Sequence, residues 1–419
     1  METKAVAMTD SRAQVSNYFP DSSGFHKSIN ITRTISRVCG IWPELEEKKS
    51  IAARYYFIVP TIVIFFTMTV PQVRRAVLHR KDLSAVLELM TTGIVMELIA
   101  LLKLLGIRLN ESGLRWLLRR MIDDWKTSNS KERNIMQEYS NLTRFIMTLC
   151  ITLTIGNVVA QTTKQFAIYF MERYQSMANE TVIKPTFLKS DFYFNEQPEG
   201  IYEAVVAAQI LGGFYVAFAF TACDGFFVFS ILHVSGQICN LQLQIEGLVQ
   251  NHEQRRCSFI KVLAPIVVRH RDLRGYAAVI EENFNKIFLV QMIATSIFLC
   301  LQGFEFAMVI TKSGSEMVPY LMFILCFVAS NLVSIFTYCY VAERLREQSE
   351  NLFRAIFEIR WYDLAPNDSK LLIIIMTQTK TPIEITVGKF VAFSLGYFCS
   401  VLKTSAGYLS MLLAVQDRL

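Results

Sequence analysis

Acids and bases stranded in apolar sequence are the residues of this chain best placed to do chemistry. Glu88, Glu97, Asp224 and Glu305 lie in or beside hydrophobic runs, as do Lys103 and Lys403. An ionisable group held in hydrocarbon is costly, so it pairs, relays charge or lines an ion path. Lys403, in CSVLKTSAG, is expected either to pair with Glu305 or Asp224 or to snorkel beside a water-filled fissure. Conventional catalytic patterns do not occur. There is no H-E-x-x-H, no phosphate-cradling glycine loop and no Cys/His cluster, and the five histidines (26, 79, 233, 252, 270) are scattered. The nine cysteines fall in or near apolar runs or in segments expected to face a reducing compartment, as packing thiols do. No enzyme, metal centre or cofactor is expected. A secondary transporter could use the acids as a relay, but the paired inverted repeats and broken helices of transporters are not evident.

The elements that must position these groups are membrane helices. Of 419 residues, 52% are hydrophobic and 19% charged, and mean hydropathy is +0.33. Soluble domains carry about 25% charged residues. The sparse Gly (18) and Pro (10) exclude a low-complexity or collagenous chain. A spanning helix needs roughly 20 apolar residues. Seven runs qualify, at 55–73, 83–107, 141–163, 201–238, 285–311, 317–341 and 386–415, so the fold class is an all-α polytopic membrane protein with seven transmembrane helices. Pro382 in TQTKTPIEIT separates a short helix at 366–380 from the last span. The polar N-terminus lacks a signal-peptide core, so insertion is expected to rest on an internal span.

Seven spans put the termini on opposite sides. The segments 1–54, 108–144, 241–286 and 343–370 hold 28 Lys and Arg, against 10 in the alternate segments. That bias places the N-terminus in the cytoplasm and the C-terminus outside, the reverse of a G-protein-coupled receptor. Arg74, Arg75, Arg80 and Lys81 in the first outer loop run against it. Sequons occur at Asn30, Asn110, Asn141, Asn179 and Asn367; only Asn179 falls outside, so it is the expected glycosylation site. No basic stretch interleaved with aromatics suggests nucleic acid.

Three stretches carry a family likeness: RTISRVCGIWPELEE at 33–47, WYDLAP at 361–366 and VGKFVAFSLGYFCSVLKTSAGYLSMLLAVQ at 387–416. The chain resembles the seven-span odorant receptors of insects, most specifically in KTSAGYLSMLL. That resemblance implies a subunit of an odorant-gated, non-selective cation channel in the plasma membrane of olfactory neurons. It implies a heterotetramer with a shared co-receptor around a central pore, to which each subunit lends its last helix. Partners would then be the co-receptor, a small volatile organic ligand, lipid and permeant cations. The ligand pocket would lie in the outer half of the bundle, between the second, third, fourth and sixth spans. The chain lacks the co-receptor's long insertion in the second inner loop, so it resembles a tuning receptor.

Depth along those spans nominates Met90, Thr91, Ile94, Val158, Val205, Gln209, Tyr320, Phe323, Ile324 and Phe327 as ligand contacts, mostly apolar with a few polar groups. In the last span, Leu409, Leu412 and Leu413 would form a hydrophobic gate and Gln416 the outer mouth. Apolar faces at Val341, Leu345, Leu352, Ile356 and Ile359, and at Leu273, Tyr276, Ala277, Ile280 and Phe284, need burial outside lipid. The expected organisation is therefore a cytoplasmic segment 1–54 with an interfacial or re-entrant piece at 29–43, spans and pocket over 55–341, anchor helices over 342–385, a pore helix at 386–415 and an outer tail at 416–419.

Overall fold

A computed structural model describes residues 23–44, 55–175, 184–248, 258–311 and 317–416. Asn179 lies outside the described residues. Ten helices can be followed. They are α1 (Ser23–Val38), α2 (Ile58–Leu78), α3 (83–109), α4 (Glu111–Thr127), α5 (Ser130–Gln175), α6 (Ile201–Glu246), α7 (Phe259–Thr311), α8 (Met317–Glu358), α9 (Pro366–Thr379) and α10 (Leu395–Gln416). Among the described residues, α2, α3, α5, α6, α7 and α8 contain stretches long and apolar enough to cross a membrane. At 46 residues, α5 and α6 each run about 69 Å at 1.5 Å per residue. That is more than twice the ~30 Å hydrocarbon core of a bilayer, so both continue well beyond it.

Two elements differ from the sequence reading or add to it. The connection after α3 is a helix, α4, whose Leu114, Leu117, Leu118, Met121, Ile122 and Trp125 form one buried face at helical spacing. The last helix starts at Leu395 rather than 386. Residues 386–392 form a small hairpin, with Thr386–Val387 (β1) antiparallel to Val391–Ala392 (β2). Gly388 (φ 61°) and Lys389 (φ 65°) both turn left-handed, which a helix does not tolerate. The segment 29–43 belongs largely to α1, which packs on α5 and α6 with Phe25, Ile29, Ile35, Cys39 and Trp42 buried.

At the centre, Phe227 of α6, Phe284 and Phe288 of α7, Tyr338 of α8 and Phe393 beside β2 pack ring against ring, with centroids as close as 4.5 Å. The amphipathic faces at 273–284 and 341–359 are buried here and below, where α7, α8 and α9 meet. The opposite end is covered by residues 184–200. Asp191 pairs with Arg75 at 3.3 Å, and Asp191 N donates to Pro71 O at 3.1 Å. Arg74 bonds the Phe192 carbonyl and lies 4.1 Å over the Tyr193 ring. Arg74 and Arg75, two of the four basic residues that ran against the charge bias, therefore hold this covering segment to α2.

Candidate functional site: a covered cavity among four helices

Beneath residues 184–200 lies a cavity of about 120 Å³. Its wall comes from α3 (Thr92, Gly93, Met96, Glu97), α5 (Thr154, Asn157, Val158, Gln161), α6 (Gly213, Val216, Ala217, Phe220) and α8 (Phe323, Phe327, Ser330, Asn331, Ser334). Met68 of α2 completes the side, and Phe187 with Leu188 form the roof. Glycine makes the roof possible: a β-carbon at Gly213 would stand 3.0 Å from the Phe187 ring, and one at Gly212 would strike Met68. Local π-helical turns at Phe65–Thr69 in α2 and Met90–Ile94 in α3 face one another beside this wall. Such turns recur at functional sites because they re-aim side chains.

Polar groups fix the roof and leave acceptors free. Gln161 Nε2 donates to Phe187 O at 2.9 Å. Leu188 N donates to Gln209 Oε1 at 3.4 Å, and Gln209 Nε2 donates to Ser190 Oγ at 3.0 Å and Thr67 O at 3.2 Å. Gln209 thus ties the covering segment to α2 and α6. In the wall, Gln72 Nε2 donates to Glu97 Oε1 at 2.5 Å. Glu97 Oε2, Asn157 Oδ1, Gln161 Oε1 and Ser330 Oγ are buried without a hydrogen-bond partner.

A second, more polar hollow lies outside, between Arg75, Gln165, Lys184, Lys189, Glu196 and Tyr320. Lys189 Nζ contacts both Glu88 oxygens, Oε1 at 2.8 Å and Oε2 at 2.9 Å, and Tyr320 Oη donates to Oε1 at 3.4 Å. Burial opposes the charge on Lys189, but the Glu88 carboxylate outweighs it and raises the ammonium above its ordinary value. Lys164 is buried between the two hollows, its Nζ 4.1 Å from the Phe323 centroid and 5.0 Å from that of Tyr320. Below the main cavity, Phe220 and Thr154 also line a smaller hollow that ends on Asp224 and Tyr338. There Asp224 accepts from Lys103 Nζ and from Tyr338 Oη (2.6 Å), while Gln291 Nε2 donates to Tyr338 Oη at 2.9 Å.

A covered, mostly apolar cavity among four helices has the character of a small-molecule site. Comparison with known proteins gives the family. A family profile described as "7tm Odorant receptor" matches residues 85–406, well over half of the chain. The chain belongs to the insect odorant receptor family. Odorant receptor 13a of Drosophila melanogaster is 24% identical over 341 residues, covering 76% of this receptor and 78% of that one. Odorant receptor 22c of the same fly is 22% identical, covering 52% of this receptor and 55% of that protein. The odorant receptor coreceptor of Aedes aegypti matches only 41% of this receptor and 34% of itself, at 25% identity. The receptor is thus closer to tuning receptors than to the coreceptor. The solved olfactory receptor OR5 of Machilis hrabei in complex with eugenol superposes with a TM-score of 0.77 at 15% identity, over 94% of this receptor and all of that chain. At that identity the likeness shows the fold. The receptor is a multi-pass membrane protein; among the described residues no three His, Cys, Asp or Glu side chains gather as metal ligands would.

The nominated ligand contacts scatter around the cavity. Val158, Phe323 and Phe327 line it, and Tyr320 lines the outer hollow. Thr91 is buried behind the wall, where its hydroxyl donates to Glu305 Oε1 at 2.5 Å. Gln209 clamps the covering segment, Ile94 and Ile324 are buried, and Met90 and Val205 are half-buried outside the lining. Sequence reasoning named Glu97 only as a stranded acid that could relay charge, and passed over Asn157, Gln161, Phe220 and the Phe187–Leu188 roof. The clue for Glu97 was an acid with no basic neighbour in an apolar run; the roof has no comparable signal.

On α10, Leu409 turns towards Gly303 of α7, where a β-carbon would meet its side chain at 2.8 Å. Leu413 is half-buried, and Leu412 and Gln416 lie on the same helix. The pairing expected for Lys403 is overturned. Asp224 is held by Lys103 and Tyr338, Glu305 by Thr91 and Gln302, and Lys403 is exposed on the face of α10 that also carries Thr404, Gly407 and Met411.

Proposed function

We propose that this receptor is the tuning subunit of an odorant-gated, non-selective cation channel in olfactory neurons. It binds a small volatile molecule in the covered cavity and opens a pore shared with a coreceptor in a heterotetramer. In this reading α10 is the seventh span, the N-terminus is cytoplasmic, the C-terminus is extracellular and Asn179 carries the glycan. The buried junction of α7, α8 and α9 is the cytoplasmic anchor, and α10 lines the pore. Leu412 and Leu413 form the hydrophobic gate with Gln416 at the mouth, while Leu409 packs within the subunit. The cavity carries the proposal: it is roofed, mostly apolar and formed by four helices of a family member.

The test is current recording from cells expressing the receptor with and without an insect coreceptor, against a broad volatile panel. Currents that need the coreceptor and are silenced by Ala217→Trp, which fills the cavity while sparing surface expression, are the expected result. Equal currents from Ala217→Trp would remove the cavity from the mechanism.

A further inference from the structure

The cavity is unbalanced in hydrogen bonding. Four buried oxygens on its wall, those of Glu97, Asn157, Gln161 and Ser330 named above, have no partner, and the first three belong to groups that accept. Gln161 cannot reverse its amide to hide this, because its nitrogen is committed to the Phe187 carbonyl. Glu97 takes the Gln72 hydrogen bond on Oε1 and also lies beside the Thr69 hydroxyl, while its buried Oε2 has no partner in hydrogen-bond geometry. Among the described residues no Lys, Arg or His forms an ion pair with Glu97. Native proteins leave few buried acceptors unpaired, and each one points to a water, an ion or a ligand. Around these oxygens the surface is aromatic and aliphatic, with Phe220, Phe323 and Phe327.

We infer that the ligand is a small amphiphile with an apolar body and a hydrogen-bond-donating head, a hydroxyl or an amino group, that bonds the free oxygens of Glu97 and Gln161. This rests on the cavity being the ligand site. Water would occupy such acceptors in the empty cavity. A donor head replaces the hydrogen bonds that water gives up, whereas a carbonyl or hydrocarbon head strands the acceptors. Discrimination follows from that asymmetry rather than from size. One hydrogen bond to a buried acceptor corresponds to roughly threefold to tenfold in affinity.

Four probes of one ring size isolate the head group: benzyl alcohol, benzylamine, benzaldehyde and toluene. The receptor is co-expressed with coreceptor, and concentration–response currents are recorded for each. The alcohol or the amine is expected to act at about tenfold lower concentration than benzaldehyde or toluene. Glu97→Gln, which can turn an N–H into the cavity, should narrow or reverse that order in favour of benzaldehyde, a change that poor folding cannot mimic. An amine preference abolished by Glu97→Gln assigns the head as ammonium; an alcohol preference assigns it as hydroxyl. Gln161→Leu provides a second variant, expected to weaken the donor ligands and spare toluene. Benzaldehyde or toluene ranking first in the wild type, an order unmoved by either variant, or silence to all four probes would overturn the inference. If those currents still vanish in Ala217→Trp, the cavity reading stands and only the head-group assignment fails.

Discussion

The ion pair below the cavity offers the sharpest test of the energetics. The Lys103 side chain is 0% exposed and that of Asp224 13%, and the ammonium lies 4.2 Å from the Phe220 centroid. Asp224→Asn removes the one acid that pairs with it among the described residues and leaves a cation in the core of a membrane bundle. Breaking a buried pair from one side costs about 3–5 kcal/mol. Lys103→Met should cost less, about 1–3 kcal/mol. Asp224 keeps the Tyr338 hydroxyl at 2.6 Å and borders a small hollow where water can solvate it. The double variant replaces both charges with neutral groups and should recover most of the loss, since apolar replacement of a buried pair is often neutral. The order is therefore wild type, then double variant, then Lys103→Met, with Asp224→Asn least stable. Thermal unfolding of the purified receptor in detergent, followed by size exclusion, reads that order, and surface labelling reads it in cells. A double variant whose loss equals the sum of the single losses would mean the two groups do not interact, and the argument would fail.

Three further outcomes follow from single contacts. Gly93→Ala places a β-carbon against the Gln72 amide, which must leave Glu97; head-group selectivity in the four-probe assay should fall while toluene responses persist. Asp124 joins three helices, accepting from His233 Nε2 at 3.0 Å and pairing with Arg269 at 2.8 Å. Burial alone would raise its carboxyl, but the hydrogen bond from His233 and the charges of His233 and Arg269 outweigh burial and hold it below its usual value of 3.8. A depressed carboxyl contributes stability above its unfolded value that is lost as pH falls through the folded one. Melting temperature should therefore drop more gently below about pH 4 in Asp124→Asn than in the wild type, and parallel acid limbs would exclude the effect. Leu413→Ser should raise resting current if the leucine closes a dewetted gate, and unchanged resting current would move the gate elsewhere.

How much of this was legible beforehand depends on which physics wrote the signal. Hydrophobic length wrote the long helices, because hydrocarbon forbids unpaired backbone. Helical periodicity likewise announced the faces at 273–284 and 341–359, which are buried. The same periodicity was present in α4 at Leu114, Leu117, Leu118 and Met121 but passed unnoticed among its charges. The hairpin at 386–392 hid because Val387, Val391 and Phe393 are apolar enough to pass for span, while Gly388–Lys389, which turns the chain, is an ordinary pair in such a run.

The site itself was legible only in outline, for a reason that applies to any helical bundle. Depth in the membrane follows from residue number, but azimuth follows from packing, which one sequence does not disclose. Thr91 and Thr92 share a depth, yet one hydroxyl is turned to Glu305 and the other residue lines the cavity. The buried lysines make the same point. Lys403, mid-run and conspicuous, is exposed, while Lys103 and Lys164 are fully enclosed. Burial of Lys103 was dictated by an acid 121 residues away, and a partner at that range leaves no local trace. What the composition did convey is that so many intramembrane acids had to be answered by something. Glu88 is answered by Lys189, Asp224 by Lys103, and Glu305 by Thr91 and Gln302. Glu97 alone of these four keeps an oxygen unanswered, and it is the one that stands in the cavity wall.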